Sequence, residues 1–224
     1  MPPPTLLTDR LLADLADPRR DASPRTLLSI ILAAGLFAGA LIGTFALDSP
    51  DRIPGVLYSA LKVPLLLLAS AALTLPGFFV INTALRLRDQ WPAALRAILR
   101  GQAALCCALA ALAPLTLLAY ASGLSYRAAL LWNAATFAAA TLTAQLVMRR
   151  AYAPLIRHNP RHRHTLLLWS LLYAFVAIQM AWTLRPFLGA PGATPTFLRD
   201  EPLSNAYLIL LKLLHPSLLL PAVL

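Results

Sequence analysis

The chain has 224 residues, 59% of them hydrophobic and 12% charged, with a mean hydropathy of +0.69. This excludes an ordinary water-soluble domain, and continuous Leu- and Ala-rich runs of about 20 residues exclude the short alternating segments of a membrane β-barrel. The formal charge of +10 arises from 19 basic and nine acidic residues, but the arginines lie in short segments between apolar runs, where they set topology and meet anionic lipid headgroups; no nucleic-acid partner is expected.

In chain order, residues 1–25 form a polar segment in which Leu7, Leu11 and Leu15 recur at four-residue spacing. The spacing predicts a short amphipathic helix on the membrane surface or docked on loops, with a weakly ordered lead-in as the plain alternative. The first apolar run, 26–47, is longer than the hydrophobic part of a secretory signal and is read as an uncleaved span. Its Gly35, Gly39 and Gly43 share one face, a small-residue ridge suited to packing inside the bundle or, alternatively, to a homodimer seam.

A tight polar turn leads to span two, 56–85, which contains Lys62, Pro64, Pro76 and Gly77. Proline removes a backbone hydrogen bond, so a kink or break is expected at Pro76-Gly77, and Lys62 is expected to extend its ammonium toward the interface. A basic segment, 86–100, precedes span three, 95–120, where Pro114 is a second candidate kink. Span four covers 127–148. Segment 149–164, RRAYAPLIRHNPRHRH, is the most basic of the chain and reads as a cationic loop. Its Arg149, Arg150, Arg157, Arg161 and Arg163 are candidate contacts for anionic lipid or a partner. His158 and His162 are four residues apart with Pro160 between them, too few ligands for a strong metal site, so no metal is expected.

Span five, 166–187, is LLLWSLLYAFVAIQMAWTLRPF. Gln179, Trp182 and Arg185 recur at three-residue intervals and form a predicted stripe from the membrane interior to the boundary. A Pro- and Gly-rich loop follows, and 203–224 is an apolar tail interrupted by Lys212, His215 and Pro216, favoured as a short surface or packed helix over a sixth span. The expected fold is therefore all-α, a polytopic membrane helix bundle of about five transmembrane helices with an amphipathic helix before it and an interfacial or packed helix after it. The domains read as 1–25, the bundle 26–187, and the outer loop and tail 188–224.

Thirteen basic residues fall before span one, between spans two and three, and between spans four and five, against six on the other side. The positive-inside rule then predicts a cytoplasmic N-terminus and an outside C-terminus. Acidic residues lie only in predicted loops or at segment ends, and no nucleotide-binding loop, HExxH or Gly-x-Ser-x-Gly pattern occurs. Catalysis and cofactors are accordingly not expected. The polar residues left inside apolar runs are Asn82, Asn133, Gln145 and Gln179, read as interhelical hydrogen-bonding groups, with a polar cavity lined by Asn82 and Gln179 as the alternative.

The ending QMAWTLRPF, 179–187, followed by Gly189, Pro191, Phe197 and Arg199, together with KVPLLLLASAALTLPGFFVIN, 62–82, resembles an uncharacterised family of bacterial multi-spanning inner-membrane proteins. A looser likeness in topology is to Yip-type membrane proteins of trafficking and membrane organisation. The resemblance implies an inner-membrane bundle and supplies no reaction. Together these features predict a scaffold or accessory protein that binds membrane lipids and a protein partner or a second copy. The competing expectation is a small-molecule transporter or channel with a polar cavity between spans two and five. Candidate functional or packing residues are Gln179, Trp182, Arg185, Asn82 and Lys62.

Overall fold

A computed structural model describes residues 22–47, 49–189, 192 and 194–198. The predicted amphipathic helix near Leu11 and the tail around Lys212 lie outside the described residues. Among the described residues, five helices are long and apolar enough to cross a membrane, and no strand occurs. They are α1 (Pro24–Gly43), α2 (Ile53–Ala84), α3 (Trp91–Ala121), α4 (Tyr126–His158) and α5 (His162–Thr183). The protein is a multi-pass, all-α membrane protein.

Local chemistry sets the helix ends. Ser23 precedes Pro24, and its Oγ accepts from the Thr26 N–H at 3.1 Å; Ser125 caps α4 by accepting from the Ala128 N–H at 3.3 Å. Both satisfy a donor that the first helical turn leaves open. At the C-terminus of α2, the Leu87 N–H reaches back to the Asn82 carbonyl at 2.8 Å and the Arg86 N–H to the Thr83 carbonyl at 3.0 Å. This is a Schellman closure, and it puts Arg86 at φ 59°, a left-handed position that glycine normally takes.

The helices alternate in direction, so the α2–α3 and α4–α5 turns share one end, called here the basic end. α1 packs on α2 and α3, α3 on α4, and α5 lies against α2 while meeting α4 at few points. The glycine ridge of α1 is consumed inside the bundle: a Cβ at Gly39 would meet the Ser59 carbonyl and stand 2.9 Å from Ala60 Cα, and one at Gly43 would stand 2.8 Å from Val56 Cα. Only a residue without a side chain allows this approach of α1 to α2.

Three boundaries differ from expectation. α4 continues ten residues past Met148, so most of the predicted cationic loop is helical; Tyr152 is fully buried there and Leu155 and Ile156 pack against the apolar cluster that also holds Leu166 and Trp169, giving the basic stretch an apolar face. Span five begins at His162 and ends at Thr183, leaving Arg185, Pro186 and Phe187 in the following segment. Finally, α2 remains one helix through Pro64 and Pro76, with no break at Gly77. Packing overrides the missing bond at Pro64, which stands against Gly35, whereas Pro76 and Gly77 lie on the exposed face with nothing near the Gly77 Cβ position.

Candidate functional site

Between α4 and α5 lies a cleft of about 310 Å³, floored by Leu66 and Leu67 of α2 and Gly101, Gln102 and Leu105 of α3. Short side chains make room on part of each wall, between the bulkier Phe137, Met148, Trp169, Tyr173 and Ile178. Gly101, Ala144, Ala174, Ala177 and Ala181 face it, while the larger Leu171 and Phe175 of α5 are exposed on the lipid side. Neutral polar groups cross it at two points: the Tyr173 hydroxyl donates to Gln102 Oε1 at 3.0 Å, and the Ser170 hydroxyl donates to Gln145 Oε1 at 3.3 Å. No titratable acid or base other than the Tyr173 phenol is among its lining residues. Gln145 was legible as a polar group in a span; Gln102 and Tyr173 were missed, although a Gln next to Gly101 in an apolar run is a comparable signal.

At the end opposite the basic turns, the segment after α5 folds back over α2. Lys62 is fully buried, which corrects the expected snorkelling: its Nζ donates to the Pro186 carbonyl at 2.6 Å and lies 5.2 Å from the Phe197 ring centroid. Laying Pro186, Phe187 and Phe197 against α2 supplies carbonyl acceptors and a ring face to this region, so the ammonium has no need to reach water. Ser59, one turn earlier, donates to the Phe187 carbonyl at 2.6 Å, and Tyr58 meets Phe197 edge to face at 5.5 Å. Beside this latch the Arg185 guanidinium stacks on Trp182, 3.0 Å from carbon Cζ to the ring centroid, while its Nε donates to the Trp182 carbonyl at 3.1 Å. Trp182 and Arg185 are thus brought together as predicted; the Gln179 carbonyl accepts from Thr183.

Asn82 is elsewhere. Phe78 of α2 meets Trp169 of α5 at 5.1 Å; Asn82 lies one turn from Phe78 toward the basic end, and Gln179 lies ten residues from Trp169 in the other direction. At 1.5 Å per residue they are roughly 20 Å apart along the bundle and cannot line one cavity. Asn82 is buried in the α2 terminus, with Nδ2 donating to the Phe78 carbonyl at 2.9 Å and Oδ1 without a hydrogen-bond partner among the described residues. Asn133 acts between helices, donating to the Tyr120 hydroxyl at 2.6 Å.

At the basic end, His162 is fully buried and its Nε2 pairs with Gln90 Oε1, its ring 6.1 Å from that of Tyr152. This contact joins the start of α5 to the α2–α3 turn, whereas His158 remains exposed. Arg149, Arg150, Arg157, Arg161 and Arg163 are all exposed. Among the described residues, no three His, Cys, Asp or Glu side chains converge as a metal site would require.

Fold and site together define a multi-pass helical membrane protein with a pinned segment after α5 and a neutral lateral cleft between α4 and α5. No family model, curated protein or solved structure matches the chain.

Proposed function

We propose that the protein is a scaffold or accessory subunit of a bacterial inner membrane, without catalysis of its own, and that it engages a protein partner through the segment that follows α5. The observation carrying this reading is the latch: Lys62 and Ser59 hold main-chain carbonyls of Pro186 and Phe187 from beneath. Pinning through the backbone pre-orders the segment, which lowers the entropic cost of association. The half-buried Trp182–Arg185 stack beside it is made of the two residue types most enriched at interface hot spots.

The positive-inside rule supports a cytoplasmic basic end, hence a cytoplasmic N-terminus and the latch outside; the bacterial inner membrane follows from the resemblance carried by 62–82 and 179–187. A transport path between α2 and α5 has less support, because Asn82 and Gln179 stand at opposite ends. The test is purification of the full chain from its own membranes in mild detergent. A stoichiometric partner or defined homo-oligomer is expected, lost in Trp182→Ala with Arg185→Ala while helicity is retained. A clean monomer that binds nothing counts against the proposal.

A further inference from the structure

The α4–α5 cleft and the arginines at its basic end belong to one site. Thr141 and Gln145 line the α4 wall, and the exposed Arg149 lies one turn beyond Gln145 and shares its helix face. On the facing wall, Arg163 is seven residues before Ser170 and shares its helix face. At 1.5 Å per residue the two cations lie roughly 6 and 10 Å past the polar lining. Arg163 is the second residue of a 22-residue span, so it sits at headgroup depth, while the cleft runs on into the hydrocarbon.

The cleft, of about 310 Å³, is open along its side between α4 and α5. In a bilayer that side faces hydrocarbon, and a single flexible chain can follow a groove walled by short and bulky side chains alike. The α5 wall from Trp169 to Ala181 extends roughly 18 Å, close to half of a ~30 Å hydrocarbon core and thus to the chain of one leaflet.

We infer that the cleft is a binding site for one anionic phospholipid of the leaflet at the basic end, its acyl chain between α4 and α5 and its phosphate between Arg149 and Arg163. The chain meets mostly apolar walls in which small residues alternate with Phe137, Met148, Trp169 and Ile178. The phosphate meets two guanidiniums suited to bidentate recognition. This site is separate from the latch, and its test uses the isolated chain, so partner docking at the latch can fail without affecting it.

The full chain is reconstituted in vesicles of equimolar phosphatidylglycerol and phosphatidylcholine, extracted in mild detergent, and weighed with its retained lipid by native mass spectrometry. One phosphatidylglycerol per chain is expected, favoured over phosphatidylcholine by on the order of tenfold, as two surface guanidiniums allow. Arg149→Gln with Arg163→Gln should abolish the preference, and Ala177→Trp, which fills the cleft, should abolish retention. Thr141→Trp fills it from the opposite wall should the first variant fail to fold. The inference is overturned by equal retention of the two lipids, by no retained lipid, or by retention that survives a folded cleft-filling variant, which would reduce the site to a surface headgroup patch.

Discussion

Replacing Gly39 by alanine adds one methyl group to a seam that has no room for it. The new Cβ would meet the Ser59 carbonyl oxygen and lie 2.9 Å from Ala60 Cα and 3.0 Å from the Ala60 carbonyl oxygen, whereas carbon atoms rest at about 3.5–4.0 Å. The obstructing atoms are backbone, so relief requires α1 and α2 to separate by roughly 0.5–1 Å, loosening dispersion contacts along the whole seam. Overpacking of this kind costs about 1–3 kcal/mol. Gly77→Ala is the matched control: nothing lies within 4 Å of its Cβ position, and alanine favours a helix over glycine by up to about 1 kcal/mol. The two variants should therefore differ by about 1–4 kcal/mol in opposite directions, measured as midpoints of denaturing-detergent titration followed by circular dichroism. Parental stability for Gly39→Ala, or an equal loss for Gly77→Ala, would refute the account of the α1–α2 seam.

The latch predicts that Lys62→Met leaves the Pro186 carbonyl without its donor and costs about 1.5–3 kcal/mol; limited proteolysis within 184–198 should accelerate, and an unchanged cleavage rate would show that Lys62 does not hold the segment. Arg86→Gly relieves a left-handed residue at φ 59° and should raise stability by about 0.5–1 kcal/mol after the entropy of glycine is counted; any loss in the same titration contradicts the Schellman assignment. Tyr173→Phe should destabilise by about 1–3 kcal/mol by stranding Gln102 Oε1, and adding Gln102→Leu should recover part of that loss. A strictly additive double variant would mean that the two side chains are not coupled.

Span number and fold class were legible because crossing a membrane demands long, continuous, internally hydrogen-bonded helices, a requirement written plainly in composition. The Gly35–Gly39–Gly43 face was legible as a packing ridge, but its partner was not, since spacing on one helix carries no information about which helix approaches. Helix ends failed where apolarity and helicity part company: at 149–158 the sequence is basic, yet buried Tyr152 and partly buried Leu155 and Ile156 carry α4 beyond any apolar window. Lys62 was misread for a related reason. Its fate depends on a segment 124 residues away whose carbonyl covers it, and no local rule anticipates that partner. Asn82 and Gln179 looked equivalent as amides in spans because depth along an antiparallel pair becomes visible only once Phe78 is seen against Trp169.

The cleft itself follows from how α5 is fastened. At the basic end His162 is tied to Gln90, and Trp169 packs edge to face on Phe78; at the other end Pro186 and Phe187 are held by Lys62 and Ser59. Both clasps fasten α5 to α2 and the α2–α3 turn, and at the basic end the His162 ring also lies 6.1 Å from that of Tyr152 on α4. Between them the side turned to α4 offers Ala174, Ala177 and Ala181 beside Tyr173 and Ile178, and hydrogen bonds run from Ser170 to Gln145 and from Tyr173 to Gln102 on the floor. In water such a gap would collapse or fill with solvent, but within a bilayer hydrocarbon is always present to fill it. Small residues that weaken α4–α5 packing therefore carry little stability cost in lipid, because a hydrocarbon chain fills the space they leave.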